Sequence, residues 1–197
     1  MELSPLAKER LAKIGSFSPE ENEKQERSRE LESLLSQYFT GNITAEELWR
    51  KIKELKNQRS EAIITEAQSK LLDTLRLQMS QEDSEQRRSA ILALETIKDV
   101  QKYARLEMHF RSIEVLRTKF TKTKEQGYEQ LKSGMETQLQ AAAQQAIRQG
   151  INVDMSRSLE ANVKNSPQWK AFISKLEQDS ETMFNEYITK LQELIVI

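Results

Sequence analysis

An all-α fold of long amphipathic helices is the class this sequence predicts, and three observations predict it. In 197 residues there are only 5 Gly and 3 Pro, so the strongest helix breakers are scarce. Most of the remainder is Glu, Lys, Gln, Leu, Ala and Arg, side chains that keep their rotamer freedom in a helix. Apolar residues recur at steps of three and four along most of the chain, which places them on one helix face. With 37% hydrophobic and 31% charged residues and a mean hydropathy of -0.71, the chain is too polar for a compact sphere. It suits an elongated helical bundle with antiparallel, coiled-coil-like long helices, roughly five to seven in number.

The punctuation justifies each element in turn. Every proline follows a serine, at Ser4-Pro5, Ser18-Pro19 and Ser166-Pro167. Serine at the N-cap accepts a hydrogen bond from an otherwise unpaired amide, and proline at the next position has no amide to leave unpaired. A short helix from Pro5 to Ile14, stopped by Gly15, is therefore expected first. The next runs from Pro19, with Glu21 completing a capping box on Ser18, to about Phe39. Its stretch Glu20 to Glu30 has no apolar residue and reads as a solvated stalk; Leu31, Leu34, Leu35 and Tyr38 form a stripe that docks. Thr40-Gly41-Asn42 is the turn, and Thr44 with Glu47 opens another box.

From Thr44 the stripe Leu48, Ile52, Leu55, Ile63, Ala67, Leu71, Leu75 predicts one rod reaching residue 79, roughly 50 Å at ~1.5 Å per residue. Ser80 to Ser84 holds competing caps and is the expected reversal. From Glu85 to Phe120 a second rod carries Ile91, Leu94, Ile97, Val100, Tyr103, Leu106, Phe110, Ile113 and Leu116. Continuity through 121–134 is left open, because Gly127 and Gly134 weaken a helix. Tyr128, Leu131, Met135, Leu139, Ala142 and Ala146 then carry a thinner stripe that Gly150 ends. Ile151 to Asp154 reads as non-helical, a short helix spans Met155 to Lys164, and the last starts at Pro167. The expected organisation is an N-terminal hairpin, residues 1–43, and a long-helix bundle, residues 44–197.

Composition also bounds function. Lys plus Arg total 30 against 31 Asp plus Glu, a net charge of -1, so no global field draws the chain to nucleic acid or anionic lipid. There is no Cys, which excludes thiolate chemistry and fits a reducing compartment; cytoplasm is the expected location. No signal peptide or membrane-spanning run is evident, and membrane insertion is not expected. The single His, His109, has Glu107 two positions away, which points the two side chains to different helix faces. No nucleophile has a base, no glycine-rich phosphate loop occurs, and the carboxylates reflect composition alone. Catalysis, a metal site and a cofactor are therefore not expected.

Two surfaces remain as candidates. The first is the last helix, where Trp169, Leu176, Met183, Tyr187, Leu191 and Leu194 recur at near-heptad spacing and suit a partner helix or self-association. The second is a basic row: Lys98, Lys102, Arg105, Arg111, Arg117, Lys119, Lys122 and Lys124, with Asp99, Glu107 and Glu114 as the acids between them. Seven of these, from Lys102 onward, are the candidate phosphate contacts, with Tyr103, Phe110 and Phe120 as stacking platforms. The simpler reading makes those aromatics core and the bases a solvated back face. A protein partner, or a second copy, is thus the expectation, and nucleic acid the alternative. Trp49 and Trp169 read as covers for bundle ends.

Residues 31 to 55 resemble a known family. Leu31, Leu34, Tyr38, Gly41, Ile43, Thr44, Glu46, Glu47, Leu48, Lys51 and Leu55 look like SHOCT, the bacterial helical-hairpin motif of apolar helix, Gly-x-Ile-Thr turn, Glu-Glu and second helix. Ile52 departs from the motif's usual lysine, and the segment lies near the N-terminus although the motif usually ends a chain. The resemblance implies interaction or oligomerisation in a bacterial protein, with no activity attached.

Overall fold

The computed structural model describes residues 19–58, 62–148 and 159–196. Among them the chain forms seven helices: α1 Pro19–Phe39, α2 Ala45–Gln58, α3 Ala62–Asp73, α4 Gln81–Lys98, α5 Val100–Arg148, α6 Leu159–Asn165 and α7 Pro167–Val196. The fold is all-α, as the composition predicts. The expected Pro5–Ile14 helix, the Ser18 cap, the Gly150 stop and the Ile151–Asp154 segment lie outside the described residues.

Packing separates two units. The first takes in residues up to Thr74 together with Gln81–Tyr103; the second comprises Leu75–Ser80 and Ala104 onward.

In the first unit, α1 and α2 form the hairpin that the capping chemistry dictates. Gly41 adopts a φ of 73°, and the amide of Asn42 donates to the Gln37 carbonyl at 2.9 Å. The Thr44 amide donates to the Glu47 carboxylate at 2.9 Å, and the Glu47 amide returns a bond to the Thr44 hydroxyl at 3.2 Å. Those bonds, the backbone one foremost, hold the Glu47 carboxyl below its ordinary value. Leu31, Leu34, Leu35 and Tyr38 are buried as expected, together with Leu48, Ile52 and Leu55 of α2. The polar stretch to Glu30 is more than a stalk, since Arg27 meets Glu66 of α3 at 3.5 Å; just past it Glu32 meets Lys70 of α3 at 2.7 Å.

The rod expected from Thr44 to residue 79 is absent. α2 ends at Gln58, α3 starts at Ala62, and the helix stops at Asp73, where the Thr74 hydroxyl donates to the Leu71 carbonyl at 2.7 Å. Helix α4 instead packs on both α2 and α3. Tyr38 donates to the Gln86 carbonyl at 2.7 Å, and Gln86 donates back to the Tyr38 carbonyl at 3.1 Å. Trp49 covers one edge of this core, its indole donating to Thr96 at 3.4 Å while Lys53 lies over the ring.

One polar pair sits in that core. Gln68 and Glu95 are both fully buried, and the Gln68 amide donates to Glu95 at 2.7 Å and to the Ile91 carbonyl at 3.2 Å. The Gln68 carbonyl oxygen and the second carboxylate oxygen of Glu95 have no hydrogen-bond partner. A buried unpaired acceptor costs ~1–3 kcal/mol, so the pair fixes which α3 residue meets which α4 residue rather than adding stability.

The second expected rod, Glu85 to Phe120, is also divided. Asp99 is non-helical between α4 and α5, and its carboxylate accepts the Gln101 amide at 3.0 Å, an N-cap for α5. The reversal expected at Ser80 to Ser84 comes earlier, since α4 already starts at Gln81. By contrast, α5 runs on unbroken past Phe120 through both Gly127 and Gly134, 49 residues in all from Val100.

In the second unit α5 and α7 lie side by side. Tyr128 meets Trp169 edge-on, ring centres 5.5 Å apart, and Gly127 lies under the Phe172 ring. Further along, His109 feels the charge of Lys190. Numbers rise on α5 as they fall on α7, so the pair is antiparallel. Helix α7 starts as the sequence predicts, the Trp169 amide donating to the Ser166 hydroxyl at 3.1 Å. The segment Leu75–Ser80 packs on this unit: Leu75 and Leu77 are buried, and the Arg117 guanidinium donates to the carbonyls of Leu77 (3.0 Å), Met79 and Ser80 (3.2 Å). Gln78 donates to Glu177 of α7 at 3.2 Å.

Candidate interaction surface

The basic row does not make one face. At about 100° per residue, the seven positions from Lys102 to Lys124 are spread around most of the helix. Several are also engaged. Lys102 meets Asp99 at 3.6 Å, Arg111 meets Glu107 at 2.9 Å, and Arg117 is taken up by the Leu75–Ser80 carbonyls. Lys124 lies 5.7 Å from the Phe120 ring centre. Arg105, Lys119 and Lys122 are exposed. Phe110 and Phe120 are buried and Tyr103 is half-buried, so the aromatics serve packing. Lys98, at the end of α4, has its pKa lowered, by burial first and then by Lys102, with Glu95 and Asp99 opposing.

The α7 candidates divide into two groups. Leu191 and Leu194 are buried within the chain and have no surface left to offer a partner. Tyr187 is half-exposed beneath Lys190, whose ammonium lies 5.5 Å from the ring centre. Met183 is 44% exposed, and Trp169 and Leu176 are half-exposed.

What brings the available residues together is the register of α5 on α7. Where residues 106–120 of α5 run, the inward row Leu106, Phe110, Ile113, Leu116 and Phe120 is buried, and on α7 so are Ser180 and Phe184. Past Phe120 the α5 row continues as Tyr128, Leu131 and Met135; Tyr128 meets Trp169, and these residues, like Phe172, Ile173 and Leu176 of α7, are half-exposed. Helix α6, whose Val163 is fully buried, packs on α7 at this end, and the apolar side chains beside it stay partly exposed. The exposed parts of these side chains are apolar surface with charged residues beside it.

Sequence reasoning found Trp169, Leu176, Tyr128, Leu131 and Met135 as apolar rows but missed their pairing. It also read Gly127 as a weak point in the helix. A Cβ added there would run into the Phe172 ring, so this glycine makes room for the aromatic cluster of Tyr128, Trp169 and Phe172. No local signal announces that contact, because Phe172 is 45 positions away. The hairpin that resembles SHOCT, for its part, has its apolar residues from Leu31 to Leu55 inside the first unit and presents no free apolar face there.

Among the described residues no helix is long and apolar enough to cross a membrane, and no three or more His, Asp or Glu side chains converge as metal ligands would. A family model described as a family of unknown function (DUF6657) matches residues 49–196. The matched stretch holds α3 to α7 and so both helices of the half-covered seam. No curated protein and no solved structure matches the chain.

Proposed function

This chain belongs to the family of unknown function DUF6657, and from its surface we propose that it is a helical protein-interaction module acting through the exposed end of the α5–α7 seam. The observation that carries the reading is the set of half-exposed apolar side chains around the Tyr128–Trp169 contact: Leu131 and Met135 of α5, and Phe172, Ile173 and Leu176 of α7. Aromatic anchors set in an apolar strip with a charged rim are what helix-groove and helix-helix recognition use. The oligomerisation that the SHOCT resemblance implies is compatible with this surface, although it is carried by other residues. The cysteine-free composition supports a reducing compartment, and we assign the module to the cytoplasm of a bacterial cell.

Crosslinking in living cells tests the reading. Photo-crosslinkers placed at Gln130 and Ser174, beside the strip, are expected to capture a protein partner, self or other. Capture should vanish when Leu131→Glu and Leu176→Glu are combined. Capture that is unchanged in the charged variant would place the interacting surface elsewhere and end this assignment.

A further inference from the structure

We draw no further inference here: the strongest candidate, the outer face of α5 where Met108 and Val115 lie exposed among Arg105, Arg111, Lys119 and Lys122, is an unpartnered helix face with Glu107 and Glu114 along one edge, and nothing in the structure shows what covers it.

Discussion

The two ends of the α5–α7 pair are built from the same residue types and end up in different states. Between Leu106 and Phe120 the seam is buried, with Phe110 only 4% exposed. Between Tyr128 and Met135 the facing side chains are again apolar, yet none of them is buried. The former has Leu75–Ser80 laid over the unit and held by Arg117; the latter has the short α6, which packs on α7 through Val163 and leaves the row partly exposed. Apolar periodicity thus specifies which face must be covered, and a third element decides whether this chain covers it or leaves it for another.

The comparison breaks most directly by truncating one aromatic at each end. Phe110→Ala should cost roughly 3–5 kcal/mol, the usual loss for a buried phenylalanine. Phe172→Ala, removing a ring that is only partly buried, should cost less, roughly 1–2 kcal/mol. Urea unfolding followed by Trp169 fluorescence in a Trp49→Phe background measures both, because Trp169 reports the second unit alone. Equal losses would mean that the exposed end is covered after all.

Next in size is the clamp on the sealed end. Arg117→Met leaves the carbonyls of Leu77, Met79 and Ser80 without their charged donor, and bonds to charged groups contribute ~1.5–3 kcal/mol. About 2 kcal/mol should be lost, and amide hydrogen exchange should quicken in residues 75–80 before anywhere else. Uniform quickening would show that Arg117 acts on the whole unit instead of on that segment.

A smaller effect separates the two glycines of α5. Glycine to alanine in an exposed helix gains ~0.5–1 kcal/mol, and a methyl group added at Gly134 would have nothing within 4 Å, so Gly134→Ala should realise that gain. At Gly127 the new methyl group meets the Phe172 ring, which must swing out of the cluster with Trp169. Gly127→Ala should therefore gain less or lose slightly in thermal unfolding and should weaken association. Equal gains at both positions would remove Phe172 from its place against α5.

Much of this was legible in the residues, and the exceptions have physical causes. Gly41, the Thr44–Glu47 box and Ser166 ahead of Pro167 act within four positions of themselves, so local chemistry alone predicted them. Asp99 was hidden because Ile97, Val100 and Tyr103 continue the stripe across it, and periodicity cannot see a single capped residue inside an unbroken row. The rod from Thr44 stopped short for a similar reason: Leu71 and Leu75 carry the stripe across Asp73 and Thr74, where the Thr74 hydroxyl donates to the Leu71 carbonyl and the helix ends. Helix α5 survived Gly127 and Gly134 because two weak residues in 49 do not offset so many good ones. At the candidate surface the apolar rows were readable, but which members are spare was not. Leu191 and Trp169 look alike in sequence, and only the register of α7 on α5 distinguishes the buried one from the available one. The basic row failed on geometry, since an excess of lysine and arginine along a helix says nothing about their direction around it.

The smallest expected effect probes the sealed end by its charge. His109 is held below its ordinary value of 6.5, by burial first, then by Lys190 of α7 and by Arg105. Both kinds of folded-state influence disfavour the imidazolium, so the unfolded chain binds this proton more readily. Stability should be fully present above about pH 6.5, and should fall as acid carries the solution down through the folded-state value. With a single histidine in the chain, one imidazole resonance in a proton NMR titration reads the midpoint without assignment. It should lie below 6.5 and move part of the way back in Lys190→Gln, since burial, the larger cause, remains. The Phe172→Ala variant, altered only at the exposed end, should leave it unmoved. A midpoint at or above 6.5 would mean that α7 does not reach His109 in solution, and the contrast between a sealed and an open end would lose its sealed half.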